Sequence, residues 1–226
     1  VHYLGRAYDN LTTVDVVCHG VPSPMVWQRY LTTLRAGQGE ITGITFRDKS
    51  VSGWRRYDSV AQSTGGGNVR QFYGDNIYMR GFLHDLYLRP SCYACMAKGG
   101  RSQSDLTLGD YWGVERTCPD LDRALDEDKG TSVVMIHSER GRRLLEGLPC
   151  RYQETNYASA VAGNPAIEQS VTEPPKRQLF FAQLDAEPLE QLIGRLTTIP
   201  LHKRLWRQLH HQAHLVKMRL RRLVRG

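Results

Sequence analysis

The chain has 226 residues, with 30 Lys plus Arg against 23 Asp plus Glu, a formal net charge of +7. After Glu190 there is no acidic residue and nine basic ones, so residues 1–190 hold 21 basic against 23 acidic and sum to −2. That gives no reason to read the body as a nucleic-acid binder and makes the positive charge a C-terminal feature. With 40% hydrophobic and 9% aromatic residues the chain is not a disordered one, and no run approaches the ~18 apolar residues of a membrane span.

In chain order, Thr12 to Cys18 (TTVDVVC) reads as a short buried strand ending at His19-Gly20. Ser23-Pro24 starts a helix, with Ser as N-cap and Pro in the first turn. Trp27, Tyr30, Leu31 and Leu34 continue it at helical spacing to about residue 36, and Gly37 and Gly39 end it. Residues 40–49 alternate in polarity as a half-buried strand does. Residues 54–63 and 69–73, separated by Gly65-Gly66-Gly67-Asn68, extend this to an antiparallel meander. Residues 76–88 read as a helix stopped by Pro90.

Asp105 to Asp110 is a short strand with Leu106 and Leu108 inward, and Ser132 to His137 a buried one. Ser138 then caps a helix carrying Leu144, Leu145 and Leu148. Residues 149–175, with four prolines, read as irregular, followed by two short helices at 176–184 and 187–196. In the tail, Leu201, Leu205, Leu209, Val216, Leu220 and Leu223 trace one stripe among Arg, Lys and His, a basic amphipathic helix. The expected fold is α+β, a mixed or antiparallel sheet with flanking helices. The expected domains are a body over 1–198 and the helical tail over 199–226.

The chemistry concentrates in the cysteines. Five is an odd number in a chain of this size, which argues against a secreted disulfide framework and for free thiols in the cytoplasm. Cys92 and Cys95, on a turn after a helix, have the spacing of two ligands to one metal centre. An iron–sulfur cluster, a zinc ion, a redox dithiol and no ligand role all remain open. Cys18, at a strand end before His19-Gly20, is the candidate third thiol, since a glycine lets backbone approach a cofactor closely.

Lys98-Gly99-Gly100-Arg101 directly follows the pair, and a basic glycine loop suits an anionic cofactor. Asp105 to Gly113 (DLTLGDYWG) runs from strand to turn, where Gly109, Asp110, Trp112 and Gly113 could frame a flat ring. No dinucleotide fingerprint, P-loop, nucleophile elbow or HExxH is present.

These pieces occur in order: CHGVPSP from Cys18, FRDK from Phe46 with Gly53-Trp54, LRPSCYACMAKGGRSQSDLTLGDYWGV from Leu88, KGTS from Lys129, and Asn164-Pro165. The set resembles the C-terminal domain of the coenzyme F420 hydrogenase/dehydrogenase beta-subunit family over roughly residues 1–185. The resemblance implies an iron–sulfur flavoprotein oxidoreductase that passes electrons between FAD, a 4Fe–4S cluster and an electron carrier or small-molecule substrate, with coenzyme F420 as one candidate. It implies Cys18, Cys92 and Cys95 as cluster ligands. It places Gly20, Lys98, Arg101, Asp105, Gly109, Asp110, Trp112 and Gly113 in the flavin environment, and offers His19 as a proton donor there.

Longer relatives carry a Gly-Thr-Pro-Cys motif and often a ferredoxin-like domain upstream of this segment. With Val1 first, the expectation is a start-truncated member that lacks a fourth ligand and depends on a ferredoxin-like domain or redox partner subunit. The competing reading is a non-catalytic zinc-stabilised or degenerate module that binds an acidic partner or membrane surface through its basic tail. The tail is expected to dock on a partner chain or an anionic membrane surface, and no nucleic-acid partner is expected.

Overall fold

The computed structural model describes residues 5–6, 8–65, 67–120, 128–198, 202, 205–206, 209–213 and 216. In chain order the elements are β1 (Val14–Val16), α1 (Pro24–Gln38), β2 (Ile41–Asp48), β3 (Asp58–Ser63), β4 (Asn68–Phe72) and α2 (Ile77–Leu83). Then come β5 (Leu106–Asp110), α3 (Val114–Thr117), β6 (Ser132–Ile136), α4 (Glu139–Glu146), α5 (Tyr157–Gly163), α6 (Lys176–Gln183) and α7 (Leu189–Leu196). Short 3-10 turns lie at Pro90–Ala94 and Pro165–Ile167. The fold is α+β, with two small sheets among the described residues. The chain forms two compact units: the described residues of Val1–His19, Ala94–Asp126 and Gly130–Val171, and those of Gly20–Tyr93, Glu127–Lys129 and Thr172–Gly226.

The first unit is built on the sheet β1-β5-β6, with β1 parallel and β6 antiparallel to the central β5. Side chains alternate across it. One face carries Val17, Val133 and Met135 into a core with Tyr111, Val114, Ala160 and Ile167. The other carries Val14, Val16, Leu108 and Ile136, exposed by 48%, 66%, 37% and 36%. The expectations of a buried first strand and of an inward Leu108 are therefore corrected. β1 is an edge strand, and Leu108 lies on a face that α4 covers near Leu106. Here Gly141 sits so close to the Asp105 carbonyl that a Cβ would overlap it. Ser138 caps α4 as its position predicts, its hydroxyl accepting from the Gly141 N–H at 3.1 Å. The stretch read as irregular contains α5, capped by the Asn156 side chain on the Ser159 N–H. Its short alanine-rich sequence carries too weak an apolar period to announce a helix.

The second unit pairs the antiparallel meander β2-β3-β4 with a helical core. Val26 and Tyr30 of α1, Tyr78 of α2, Leu86, Tyr87, Phe180 of α6 and Leu192, Ile193 and Leu196 of α7 are buried together. Each fully buried aliphatic or aromatic side chain contributes about 1.5–3 kcal/mol. Tyr30 and Tyr78 stack at 4.7 Å and Phe46 and Tyr78 at 5.3 Å, geometry that adds about 0.5–1.5 kcal/mol per pair.

Buried Asn76 caps α2 by accepting from the Met79 N–H at 2.9 Å, and its amide donates to the Tyr30 hydroxyl at 2.9 Å. Ser23 takes the N-cap position of α1 in extended conformation but makes no side-chain cap bond; Pro24 opens the helix instead. The helix expected over 76–88 stops at Leu83, because Asp85 adopts φ +57° and the chain turns extended to bridge Leu88 with Pro22. β3 starts at Asp58 rather than residue 54, since Gly53 turns at φ +76° and the Trp54 N–H bonds the Asp128 carbonyl. The tail helix expected over 199–226 lies largely outside the described residues. Of its stripe, Leu205, Leu209 and Val216 are exposed.

Candidate functional site

The chemistry-bearing residues of the first unit gather around β5 and the loop that precedes it. Lys98 is 8% exposed, and its ammonium donates to the Cys18 carbonyl at 2.6 Å and to the Ala166 carbonyl at 2.7 Å. A buried cation needs such partners, and here both are main-chain oxygens. The Lys98 ammonium thereby holds the Cys18 segment against the turn at Pro165–Ile167. Gly99 and Gly100 follow with φ +64° and +71°. A Cβ at Gly99 would meet nothing, and at Gly100 only the edge of the His137 ring at 3.8 Å, so the backbone here is open to approach. Exposed Arg101 bonds the Lys98 carbonyl through Nε, and the guanidinium has further N–H donors beyond that one.

Asp105 accepts from the Thr13 N–H at 2.8 Å, the Thr13 hydroxyl at 2.9 Å and the Ser138 hydroxyl at 2.5 Å. The Ser138 bond, then the Thr13 N–H, hold its carboxyl below the usual value of 3.8. Asp105 therefore ties β1 to the start of α4. Next to it Asp15 accepts from Ser104. Burial raises the Asp15 pKa, but hydrogen bonds with Ser102, Thr107 and Ser104 and the neighbouring His137 outweigh that and lower it.

The strand ends in a turn that its neighbours shape. Gly109 lets Val17 of the adjoining chain segment pass close, where a Cβ would stand 2.8 Å from Val17 Cγ2. The Asp110 carbonyl accepts from the Asn164 amide at 3.0 Å. Gly163, at the end of α5, lies against the Trp112 carbonyl so closely that any Cβ would overlap it. Gly113 takes φ +81°. Trp112, held by this backbone, is left half-exposed, while Tyr111 is buried with its hydroxyl 2.9 Å from Thr155 Oγ1 and 3.8 Å from Cys118 Sγ. Gly163 and Thr155 carry no signal of these roles in the sequence, and the sign of Asn164 there is its pairing with Pro165.

All five cysteines are free. Cys18 and Cys95 belong to the first unit, where the Cys95 N–H donates to Ser170 at 3.0 Å. Cys92 belongs to the second, where its sulfur accepts from the Val21 N–H at 3.2 Å. Gly20, in the second unit, faces the Leu88 side chain. His19 is half-buried. Among the described residues no group of three or more His, Cys, Asp or Glu side chains is assembled to hold a metal ion. Nor is any helix among them long and apolar enough to cross a membrane.

The family model that describes the C terminus of the beta subunit of coenzyme F420 hydrogenase/dehydrogenase matches residues 5–158. The chain belongs to this family. No curated protein and no solved structure matches it. Membership in the coenzyme F420 hydrogenase/dehydrogenase beta-subunit family makes the chain a redox domain of oxidoreductase-subunit type, and a partner subunit and redox cofactors belong to that setting. The match spans the Cys18 segment, the Cys92–Cys95 pair, the Lys98–Arg101 loop and the Asp105–Gly113 turn.

Proposed function

We propose that the chain is a flavin-dependent oxidoreductase domain that binds FAD and exchanges electrons with an electron carrier or small molecule, coenzyme F420 among the candidates, beside a redox partner subunit in the cytoplasm. The observation that carries this reading is the open left-handed pair Gly99-Gly100 with exposed Arg101, set beside the strand that leads to the Trp112-Gly113 turn. Bound FAD would supply hydride and single-electron exchange.

In this reading the chain's own residues divide the work. Open backbone at Gly99 and Gly100 and the Arg101 guanidinium receive the anionic part of the cofactor. Trp112, 38% exposed, is the proposed contact for the flavin ring, and Asp110 and Gly113 hold the turn that carries it. Lys98 and Asp105, the other proposed cofactor-binding residues, also position the loop and the strand through the bonds described above. His19 is the proposed proton donor, and Gly20 gives its segment close approach.

Cys18, Cys92 and Cys95 are the proposed ligands of a 4Fe–4S cluster. Cys18 and Cys95 belong to one compact unit and Cys92 to the other, and the chemistry proposed here does not run through a cluster.

The test is FAD titration of the full chain, followed by flavin fluorescence and gel filtration. Saturable quenching with flavin co-eluting at equal molar ratio supports the reading. Protein that stays colourless and free of flavin overturns it.

A further inference from the structure

We infer that the open edge of β6 is a receiving site for an extended peptide strand of a partner chain. This edge plays no part in the flavin reading. Among the described residues, β6 pairs with β5 on one side only. The bonds from the Tyr111 N–H to the Thr131 carbonyl and from the His137 N–H to the Asp105 carbonyl set the phase of that pairing. With the register Leu106↔Ile136 to Asp110↔Ser132, the odd-numbered residues of β6 bond toward β5. The N–H and C=O groups of Ser132, Val134 and Ile136 therefore point to the open edge. No hydrogen bond to these groups is made by the described residues.

Residues 151–154, an irregular segment, line the same groove as this edge, and their backbone makes no hydrogen bond among the described residues. The segment is anchored where Thr155 meets the Tyr111 hydroxyl. The groove, of about 580 Å³, is lined by Ser132, Val134 and Ile136 and by 150–155. That volume is within the range of specific ligand sites. An open strand edge beside a ligand-sized groove is what an added strand requires.

The walls indicate the occupant's chemistry. Val134, Ile136 and Leu145 offer apolar contact, while Glu146, Arg151 and Glu154 line the groove without an ion-pair partner among the described residues. A strand alternating apolar residues with Lys and Glu complements both. The open N–H and C=O groups recur at every second residue of β6, a period that a peptide strand matches, and a peptide is the assigned class.

The experiment uses the full chain and the peptide acetyl-Val-Lys-Val-Glu-Val-Lys-amide carrying a fluorescein, together with its charge-permuted and backbone N-methylated forms. Anisotropy reads binding, and amide hydrogen exchange reads the site. The expected result is saturable binding of at least one unmethylated form, new protection at Ser132, Val134 and Ile136, and about tenfold or greater weakening on N-methylation. N-methylation alters the ligand alone, so a folding defect cannot mimic this result. Absence of saturation for every form up to about 1 mM overturns the inference. So does equal binding of the N-methylated peptide, which would mark a side-chain pocket. Protection of the three amides in the free protein also overturns it, since the edge would then be closed by the chain itself.

Discussion

The Lys98 ammonium lies 2.6 Å from the carbonyl oxygen of Cys18, eighty residues earlier in the chain. With the Ala166 carbonyl at 2.7 Å as its second acceptor, this buried cation joins three segments of the first unit. Replacing Lys98 by Met removes two charge-assisted bonds and leaves two carbonyls without them. A destabilisation of about 2–4 kcal/mol is expected in urea unfolding. An unchanged midpoint would show that the ammonium is not bound this way in solution.

Gly163→Ala is expected to destabilise by about 1–3 kcal/mol, because the new methyl overlaps the Trp112 carbonyl and must displace the turn. Gly194→Ala is the control. It lies inside α7 with nothing within 4 Å of a new Cβ, so it should gain about 0.4–1 kcal/mol. Thermal melts of both variants check the opposite signs. In the flavin reading, FAD affinity should fall with the first variant and stay constant with the second.

Acid should weaken the first unit through Asp105 and Asp15. Both carboxyls are held below 3.8 in the folded state, Asp105 chiefly by Ser138. A depressed folded pKa adds stability above the unfolded value and loses it as pH falls through the folded one. Urea midpoints measured from pH 6 downward should therefore drop below about pH 4. Asp105→Asn should start less stable and show a shallower acid limb. Ser138→Ala should lose about 1 kcal/mol from the missing cap of α4 and flatten the same limb. Identical pH profiles for wild type and both variants would sink this account.

Arg101→Ala should weaken FAD binding by about tenfold, the loss expected for one charge-assisted contact, with little effect on folding because the side chain is exposed. Trp112→Ala should weaken it comparably through lost ring contact. Fluorescence titration reads both. If neither changes affinity while FAD still binds, the flavin lies elsewhere.

Much of this is legible in the chain itself. Period-2 alternation over residues 40–49 and the glycine turn after it specify the meander β2-β3-β4, because each strand need only match a neighbour close in sequence. Ser138 announces its cap, and the ordered cysteine and glycine motifs announce the family. The exposure of Val14 and Val16 is not legible. The three valines of TTVDVVC look the same whether or not a layer covers them. The helix at Tyr157–Gly163 is hidden because two of its seven residues are aromatic or branched and three are alanine, so its period is faint.

The amino-acid order alone thus determined the family, the α+β class, the near-neutral body and the residue types on which a redox site can draw, because these depend on composition and local order. Only the tertiary structure decided what those residues do. Lys98, which reads as a free cation beside a glycine loop, is bound to two carbonyls from distant segments. Asp105 is bound to Thr13 and Ser138, while the backbone at Gly99 and Gly100 is left open and Arg101 is exposed. A charged side chain takes its role from whichever partners burial brings within hydrogen-bond reach, and those partners lie 33 to 92 residues away.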